Sequence, residues 1–378
     1  MLASPPSLSP PLQAAEFFAG IGLFRKAMEQ SGITVKFAND ISPLKQKVYV
    51  SNFGTPEFVL GDIAHLVPAQ IPDIDLATAS FPCTDLSLAG NQAGIHAQHS
   101  GTFWLFADLL GTLRARRPPV VLLENVAGLG TSHQGEALAQ IISRLNHLGY
   151  FCDIVQIDAM HWVPQSRSRL FVIGTVKLPP TATTWQADSI IPAWIGTVLH
   201  SHPALATYAT PLPPPPVSSV ALQSCLEFLS PDDKRWWDAA RIDQFVTSLS
   251  PPQATRLQNL RNSPTSVWRT AYRRTRNGIV RWEIRADAIS GCLRTSSGGS
   301  SRQALVEIQA GQIRIRWMTA AEYAALMGAG DYKIDMVSEN QAIFCFGDAV
   351  CVQAVRWLLD NYIVPLTTQL KTDHPIIN

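Results

Sequence analysis

The stretch that most constrains this chain runs from Ala14 to Gln30. Ala14 to Phe18 reads as a strand, followed at once by Ala19-Gly20-Ile21-Gly22 and then by the helix-like Leu23 to Gln30. A strand, a tight turn and a helix in that order form the repeating unit of α/β folds built on a parallel sheet. Glycine in the turn lets a ligand approach the backbone and leaves the helix N-terminus open to it. A second strand, Thr34 to Asn39, ends at Asp40, about twenty residues beyond the turn, where nucleotide-binding folds place an acid against ribose hydroxyls. A third, Phe58 to Leu60, ends at Gly61-Asp62. A pyrophosphate-binding turn needs another glycine where Arg25 stands, so the pattern favours a nucleoside-type cofactor without a phosphate cradle. A nicotinamide cofactor and simple tight packing remain open at this point.

The run Ile74 to Ala79 predicts another buried strand, and it delivers Ser80-Phe81-Pro82-Cys83. Pro82 fixes its own φ and restricts Phe81, so Cys83 is expected on a stiff turn at a strand end, where parallel sheets place their chemistry. Taken alone, such a cysteine is as readily an inert buried hydrophobe as a nucleophile. Thr102 to Arg116 and Gly135 to Leu148 read as helices, Tyr150 to Ile157 and Leu170 to Gly174 as strands. Val120 to Leu123 is a strand that delivers Glu124-Asn125-Val126, setting a carboxylate at a neighbouring strand end. In the extended segment Val163 to Arg169, alternation puts Gln165, Arg167 and Arg169 on one face, which suits an anion or a base edge.

Composition narrows the class. At 378 residues and 46% hydrophobic content, the chain suits a large domain with a smaller one. The six cysteines are scattered without a CxxC pair, which points away from a disulfide framework or a structural zinc site and toward a reducing compartment. Residues 1–13 are Pro/Ser-rich, lack the features of a secretory signal and read as a disordered leader, and no uninterrupted apolar run has membrane-spanning length, so a cytoplasmic protein is expected. The net charge of +1 hides an uneven distribution: Arg256 to Arg316 holds twelve arginines, three acids and no lysine, interleaved with Trp268, Tyr272 and Trp282. Arginine is favoured where planar contact to phosphate or guanine edges matters, which makes this segment a candidate nucleic-acid surface rather than merely a solvated basic face. Residues 178–220 are Pro-rich and read as a linker or irregular boundary. Asp232 to Val246 reads as a helix, and Met318-Thr319-Ala320-Ala321-Glu322 has capping-box spacing opening a helix to Met327.

In this order the motifs resemble those of the DNA cytosine-C5 methyltransferase family, over Glu16 to about Leu359 apart from roughly 181 to 290. Glu16-Phe17-Phe18-Ala19-Gly20-Ile21-Gly22 resembles the family's S-adenosylmethionine motif, and Phe81-Pro82-Cys83 with Ser87, Ala89 and Gly90 its nucleophile loop. Glu124-Asn125-Val126, Gln165-x-Arg167-x-Arg169 and Gly347-Asp348-Ala349-Val350 resemble later motifs. The resemblance implies a Rossmann-like α/β methyltransferase domain with a mixed, mostly parallel sheet (14–180 with 341–378) and a smaller irregular target-recognition domain (181–340). It implies Cys83 as nucleophile, Glu124 at N3 of the base, Arg167 near the carbonyl oxygen and a similar role for Arg169. The cofactor S-adenosylmethionine would be held by Phe18, Gly20, Ile21, Gly22, Asp40, Ile41, Asp62, Ile63, Pro82, Asp348 and Val350, with Ser87, Gln165, Arg294, Ser300 and Arg302 on the DNA. Double-stranded DNA is the implied partner, a monomer the implied state, a restriction-modification or related anti-phage system the implied setting, and no metal or membrane is expected. An RNA cytosine methyltransferase of the same fold and a non-catalytic DNA-binding subunit are the rivals. The chain departs from the family pattern at Glu16, Ser80, Thr84 and Asp348, and carries Ala325-Leu326-Met327 where Arg-Leu-Gln is usual.

Overall fold

The computed structural model describes residues 11–82, 101–276, 278–295 and 302–372. Its main sheet has seven strands: β1 (Gln13–Phe17), β2 (Thr34–Asp40), β3 (Phe58–Leu60), β4 (Leu76–Ala79), β5 (Val120–Val126), β6 (Phe151–Asp158) and β7 (Ser168–Thr175). They lie in the order β3-β2-β1-β4-β5-β7-β6. Neighbours from β3 through β5 are parallel, while β7 is antiparallel to both β5 and β6. The central strands are short and largely buried, with Val120 to Leu123 an unbroken apolar run, as expected where both faces of a sheet are covered. Helix Leu23–Gln30 turns Leu23, Phe24, Ala27 and Met28 inward, and Thr102–Thr112 buries Phe103, Phe106, Ala107, Leu109 and Leu110.

The sequence expectation of a Rossmann-like, mixed and mostly parallel sheet describes this architecture. Chain order reverses between β1 and β4, and a crevice opens outside the carboxyl ends of the strands at such a switch point. That edge receives the turn after β1, Asp40 at the end of β2, Phe81 and Pro82 after β4, and Glu124 near the end of β5.

A second, antiparallel sheet contains β8 (Val267–Arg276), β9 (Ile279–Ile284), β10 (Ala304–Gln309) and β11 (Gln312–Trp317) in the order β11-β10-β8-β9. It has its own core, in which Ala271, Ile284, Val306, Ile308 and Ile315 meet Trp237, Phe245 and Leu257 from helices and loops before it. The helix expected over Asp232 to Val246 forms only over Ala239–Thr247, because Asp238 caps it, its side chain accepting from the Arg241 amide at 2.8 Å.

Two other expectations are altered by packing. The Pro-rich stretch after Lys177 is not a free linker: Ile190, Ile191, Ile195, Val198, Tyr208 and Leu222 join the main core. Residues after β11 also return to that core, with Tyr323, Leu326 and Met327 buried in it. The capping box at Thr319 and Glu322 forms as its spacing predicts. Glu322 also makes a fully buried ion pair with Arg316 of β11, which joins the small sheet to the main body.

The stretch Glu339–Lys371 is long and apolar enough, by length and composition, to cross a membrane, but 67% of its most apolar window is buried within the protein. Its far end is fixed by Tyr362, whose hydroxyl donates to Asp153 at 2.7 Å and lies 3.0 Å from the Tyr208 hydroxyl. Burial pushes the Asp153 carboxyl up to about 6.

Candidate active site

The turn after β1 is built on left-handed backbone at Phe18 (φ 55°), Gly20 (φ 58°) and Gly22 (φ 85°). Asp40 locks it, one carboxylate oxygen accepting from the Gly20 amide and the other from the Ser42 amide, both at 2.8 Å. The two glycines do different work. A Cβ at Gly20 would meet nothing nearer than the Phe18 carbonyl at 4.0 Å, so this turn is open to a ligand. A Cβ at Gly22 would strike Phe53 at 2.6 Å and Tyr49 at 2.8 Å, so helix packing here requires glycine. Beside the turn, Ile41 is 65% exposed directly after the Asp40 carboxylate, and Asp62 stands at the end of β3, capping a short helical turn through the Ala64 amide at 2.9 Å. An open turn, an exposed apolar side chain and two strand-end carboxylates fit a nucleoside cofactor. Ile63 and Val350 are buried in the core beneath this region. Pro82 is exposed, and Asp348 is paired with Lys45 at 2.9 Å.

Glu16, at the base of the same turn, is buried with Oε2 lacking a hydrogen-bond partner among the described residues. Oε1 accepts from the Arg25 amide at 3.3 Å, and burial pushes the carboxyl up to about 8.

On the other side of the switch point, Glu124 and Arg169 form an ion pair, Oε1 to Nε 2.9 Å, with side chains 8% and 14% exposed. The antiparallel register makes this possible, since it pairs Val126 with Arg169 and so sets the start of β7 beside the end of β5. Asn125 turns the other way and donates to the Phe81 carbonyl at 2.9 Å, tying the acid-bearing strand to the segment that leads to Cys83. Cys83, Ser87 and Ser300 lie outside the described residues.

Gln165 and Arg167 do not share an open face with Arg169. Gln165 is fully buried: its amide donates to the Leu326 carbonyl at 2.7 Å and accepts from the Leu293 amide at 3.1 Å, so a base contact is not available to it. Arg167, 1% exposed, donates to the carbonyls of Leu293 (2.7 Å), Gly347 (3.1 Å) and Ala349. Burial pushes its guanidinium down to about 10. It clamps the C-terminal helices to the segment between the two sheets, and the guanidinium beside the acid belongs to Arg169. Arg302 is likewise engaged, donating to the Met318 carbonyl at 2.8 Å, whereas Arg294 is exposed. Sequence reading missed Asn125 as a tether and Cys292, which lies 3.5 Å from an Arg167 nitrogen. Asn125 stands inside a motif and was within reach of the reading; Cys292 sits in a segment whose place is set only by folding.

The strand order, the open turn and the strand-end acid beside a guanidinium define the chain as a methyltransferase-type α/β protein with a second, smaller sheet. A family model for C-5 cytosine-specific DNA methylase matches residues 12–363, and the chain belongs to that family. It is 35% identical over 164 residues to the type II methyltransferase M.HhaI of Haemophilus parahaemolyticus, covering 43% of this chain and 48% of the relative. It is 33% identical over 160 residues to M.MspI of a Moraxella species, covering 42% and 37%. The matched stretch thus spans less than half of either relative. Among solved structures the fold is similar to S. pombe Dnmt2 methyltransferase, with 18% identity and a TM-score of 0.62 over 94% of this chain and 99% of that one. It is also similar to Entamoeba histolytica methyltransferase EhMeth, with 16% identity and a TM-score of 0.61 over 95% and 99%.

Proposed function

We propose that this chain methylates C5 of cytosine in a specific duplex DNA sequence. The observation that carries the reading is the buried Glu124–Arg169 pair, tethered through Asn125 to the strand end that precedes Cys83. Cytosine C5 is a poor nucleophile. Attack of the Cys83 thiolate on C6 breaks the ring's conjugation and makes C5 enamine-like, dividing one hard step into easier ones. Glu124 hydrogen-bonds at N3 and shares a proton there, while Arg169 offers fixed charge to the carbonyl oxygen, so charge building on the ring is met by groups already in place. S-adenosylmethionine, held at the open Gly20 turn with Asp40 and Asp62 nearby, supplies the electrophilic methyl group. Loss of the C5 proton, with release of the Cys83 sulfur, restores the base.

A stacked cytosine is out of reach of such a site, so the reaction requires the base to be flipped out at a cost of a few kcal/mol, offset by contacts to the DNA backbone. The arginine-rich small sheet is the surface suited to that role. The setting in a restriction-modification system in the cytoplasm is supported by the type II methyltransferases it resembles, and a monomer is proposed with it; a host genome with no nuclease or defence gene beside it counts against that setting. The test is covalent capture. Duplex DNA carrying 5-fluorocytosine, incubated with wild-type protein and S-adenosylmethionine, is expected to give a denaturation-resistant adduct that is lost in Cys83→Ser. No adduct on any duplex, or equal transfer by Cys83→Ser, overturns the reading, and transfer to tRNA in preference to duplex DNA would turn it to the RNA enzyme.

A further inference from the structure

The small sheet carries a layer of tryptophan rings on the face that meets the helices before it. Trp237, Trp282 and Trp317 lie with ring centroids 5.2 to 5.6 Å apart. Register explains how Trp282 of β9 and Trp317 of β11 meet across two intervening strands: Ala304 and Ala271, paired in line with Trp317, leave the space above them to the rings. The Trp237 backbone amide donates to the Ile315 carbonyl at 2.8 Å, which fixes the third ring against β11.

Arginines rim this layer. The guanidinium carbons of Arg241, Arg273 and Arg302 stand 5.3, 5.8 and 5.8 Å from the Trp317 ring centre, and that of Arg241 stands 4.1 Å from the centre of Trp237. Neighbouring arginines are paired with carboxylates: Arg235 with Asp233, Arg274 with Glu283, Arg285 with Asp287 and Arg314 with Glu307. Arg241 differs from them. It is exposed, and among the described residues its guanidinium has ring contacts but no hydrogen-bond or ion-pair partner. It also sits in the first turn of helix Ala239–Thr247, where a cation opposes the helix dipole, so helix stability does not explain its place. A guanidinium held over two rings has less freedom to lose on binding, and its planar fork of N–H donors is left for a ligand. A phosphate suits the position poorly, because the Asp238 carboxylate caps the same turn, accepting from the Arg241 amide at 2.8 Å. A neutral base edge meets no such repulsion, and guanine offers the fork two acceptors, O6 and N7.

The cluster also lies within reach of the duplex that the catalytic residues would engage. Arg302, beside Trp317, ends the stretch of chain that starts at Leu293, whose carbonyl is held by Arg167 two residues before Arg169. That length of chain spans at most about 30 Å, or roughly nine base pairs. We propose that Arg241, held over Trp237 and Trp317, reads a guanine of the target sequence in the major groove, within about one helical turn of the methylated cytosine and outside the target base pair. The proposal rests on the DNA methyltransferase reading above and assigns part of its sequence specificity to one residue.

The test uses the full-length chain. Bisulfite sequencing of DNA methylated by wild-type protein defines the recognised sequence, and the same DNA is then treated with Arg241→Ala. The variant is expected to tolerate other bases at one guanine of that sequence, with discrimination there reduced about tenfold or more and cofactor binding unchanged. A second arm needs no variant. Replacing that guanine by 7-deazaguanine, which lacks the N7 acceptor, should slow methylation by wild-type protein about tenfold and leave Arg241→Ala unaffected. A loss that is uniform across sequences, with the salt-dependence slope reduced by about one, marks a phosphate contact and overturns base readout. Unaltered specificity in Arg241→Ala overturns it, and so does wild-type insensitivity to 7-deazaguanine at every guanine outside the target pair. Failure of the parent reading is distinguishable, because wild-type protein then methylates no duplex; that result overturns the role of Arg241 with it, whereas the others overturn that role alone.

Discussion

Glu124 and Arg169 meet as an ion pair 2.9 Å long because β7 enters the sheet against the direction of its neighbour β5. Had β7 run parallel, its start would lie at the far end of β5 from the acid. Arg167, two residues earlier, is turned into the protein onto three backbone carbonyls. The two arginines should therefore fail in different ways. Arg169→Met is expected to lower methyl transfer by about 10²-fold or more, as for loss of a transition-state charge partner, with some loss of stability from leaving the Glu124 carboxylate unpaired. Arg167→Met should instead cost about 3 kcal/mol or more in urea unfolding by leaving buried carbonyls without donors.

The two glycines of the first turn separate cofactor binding from stability. Gly22→Ala drives a Cβ into Tyr49 and Phe53 on left-handed backbone, and should destabilise by about 1–3 kcal/mol. Gly20→Ala meets open space but sits on left-handed backbone too, so it should cost about 1 kcal/mol of strain and, beyond that, weaken binding of S-adenosylmethionine or its demethylated product, measured by titration calorimetry. Equal losses of affinity in both variants would contradict this division.

Glu16 gives a pH dependence. Burial holds its carboxyl at about 8, above the ordinary 4.5, so the folded chain binds this proton more tightly than the unfolded chain does. Its contribution to stability is full below the unfolded value and is lost as pH rises through the folded one. Between about pH 5 and about pH 9, wild-type protein should lose melting temperature relative to Glu16→Gln. Parallel curves for the two proteins would show that Glu16 does not titrate in this window.

The arginines flanking the segment between β9 and β10 should also divide. Arg294 is exposed, and Arg294→Ala is expected to weaken duplex binding similarly across sequences while reducing the salt-dependence slope by about one. Arg302 is held by the Met318 carbonyl, with Glu339 3.5 Å away, so Arg302→Ala should lower stability and leave the slope unchanged.

How much of this was legible depended on how local each signal is. The strand–turn–helix at Ala14 to Gln30, the strand-end acids Asp40 and Glu124, and the capping box at Thr319 rest on periodicity, turn chemistry and fixed spacing, which act over a few residues and survive in the sequence. The family's motif order extended that reading along the chain. Gln165 and Arg167 looked like a binding face because alternation reports which side a residue takes, not what folds against it. Their partners, Leu293, Leu326, Gly347 and Ala349, are more than a hundred residues away in sequence.

By itself, the sequence determined an α/β sheet with a glycine turn after its first strand and acids at the strand ends beyond it. Only the tertiary structure decided that Gly22 packs against a helix, that Arg169 rather than Arg167 faces Glu124, and that Arg167 closes onto the carbonyls of remote segments. Those choices depend on close contacts between segments remote in the chain, where steric exclusion and the need to satisfy every buried polar group are settled only when the segments meet.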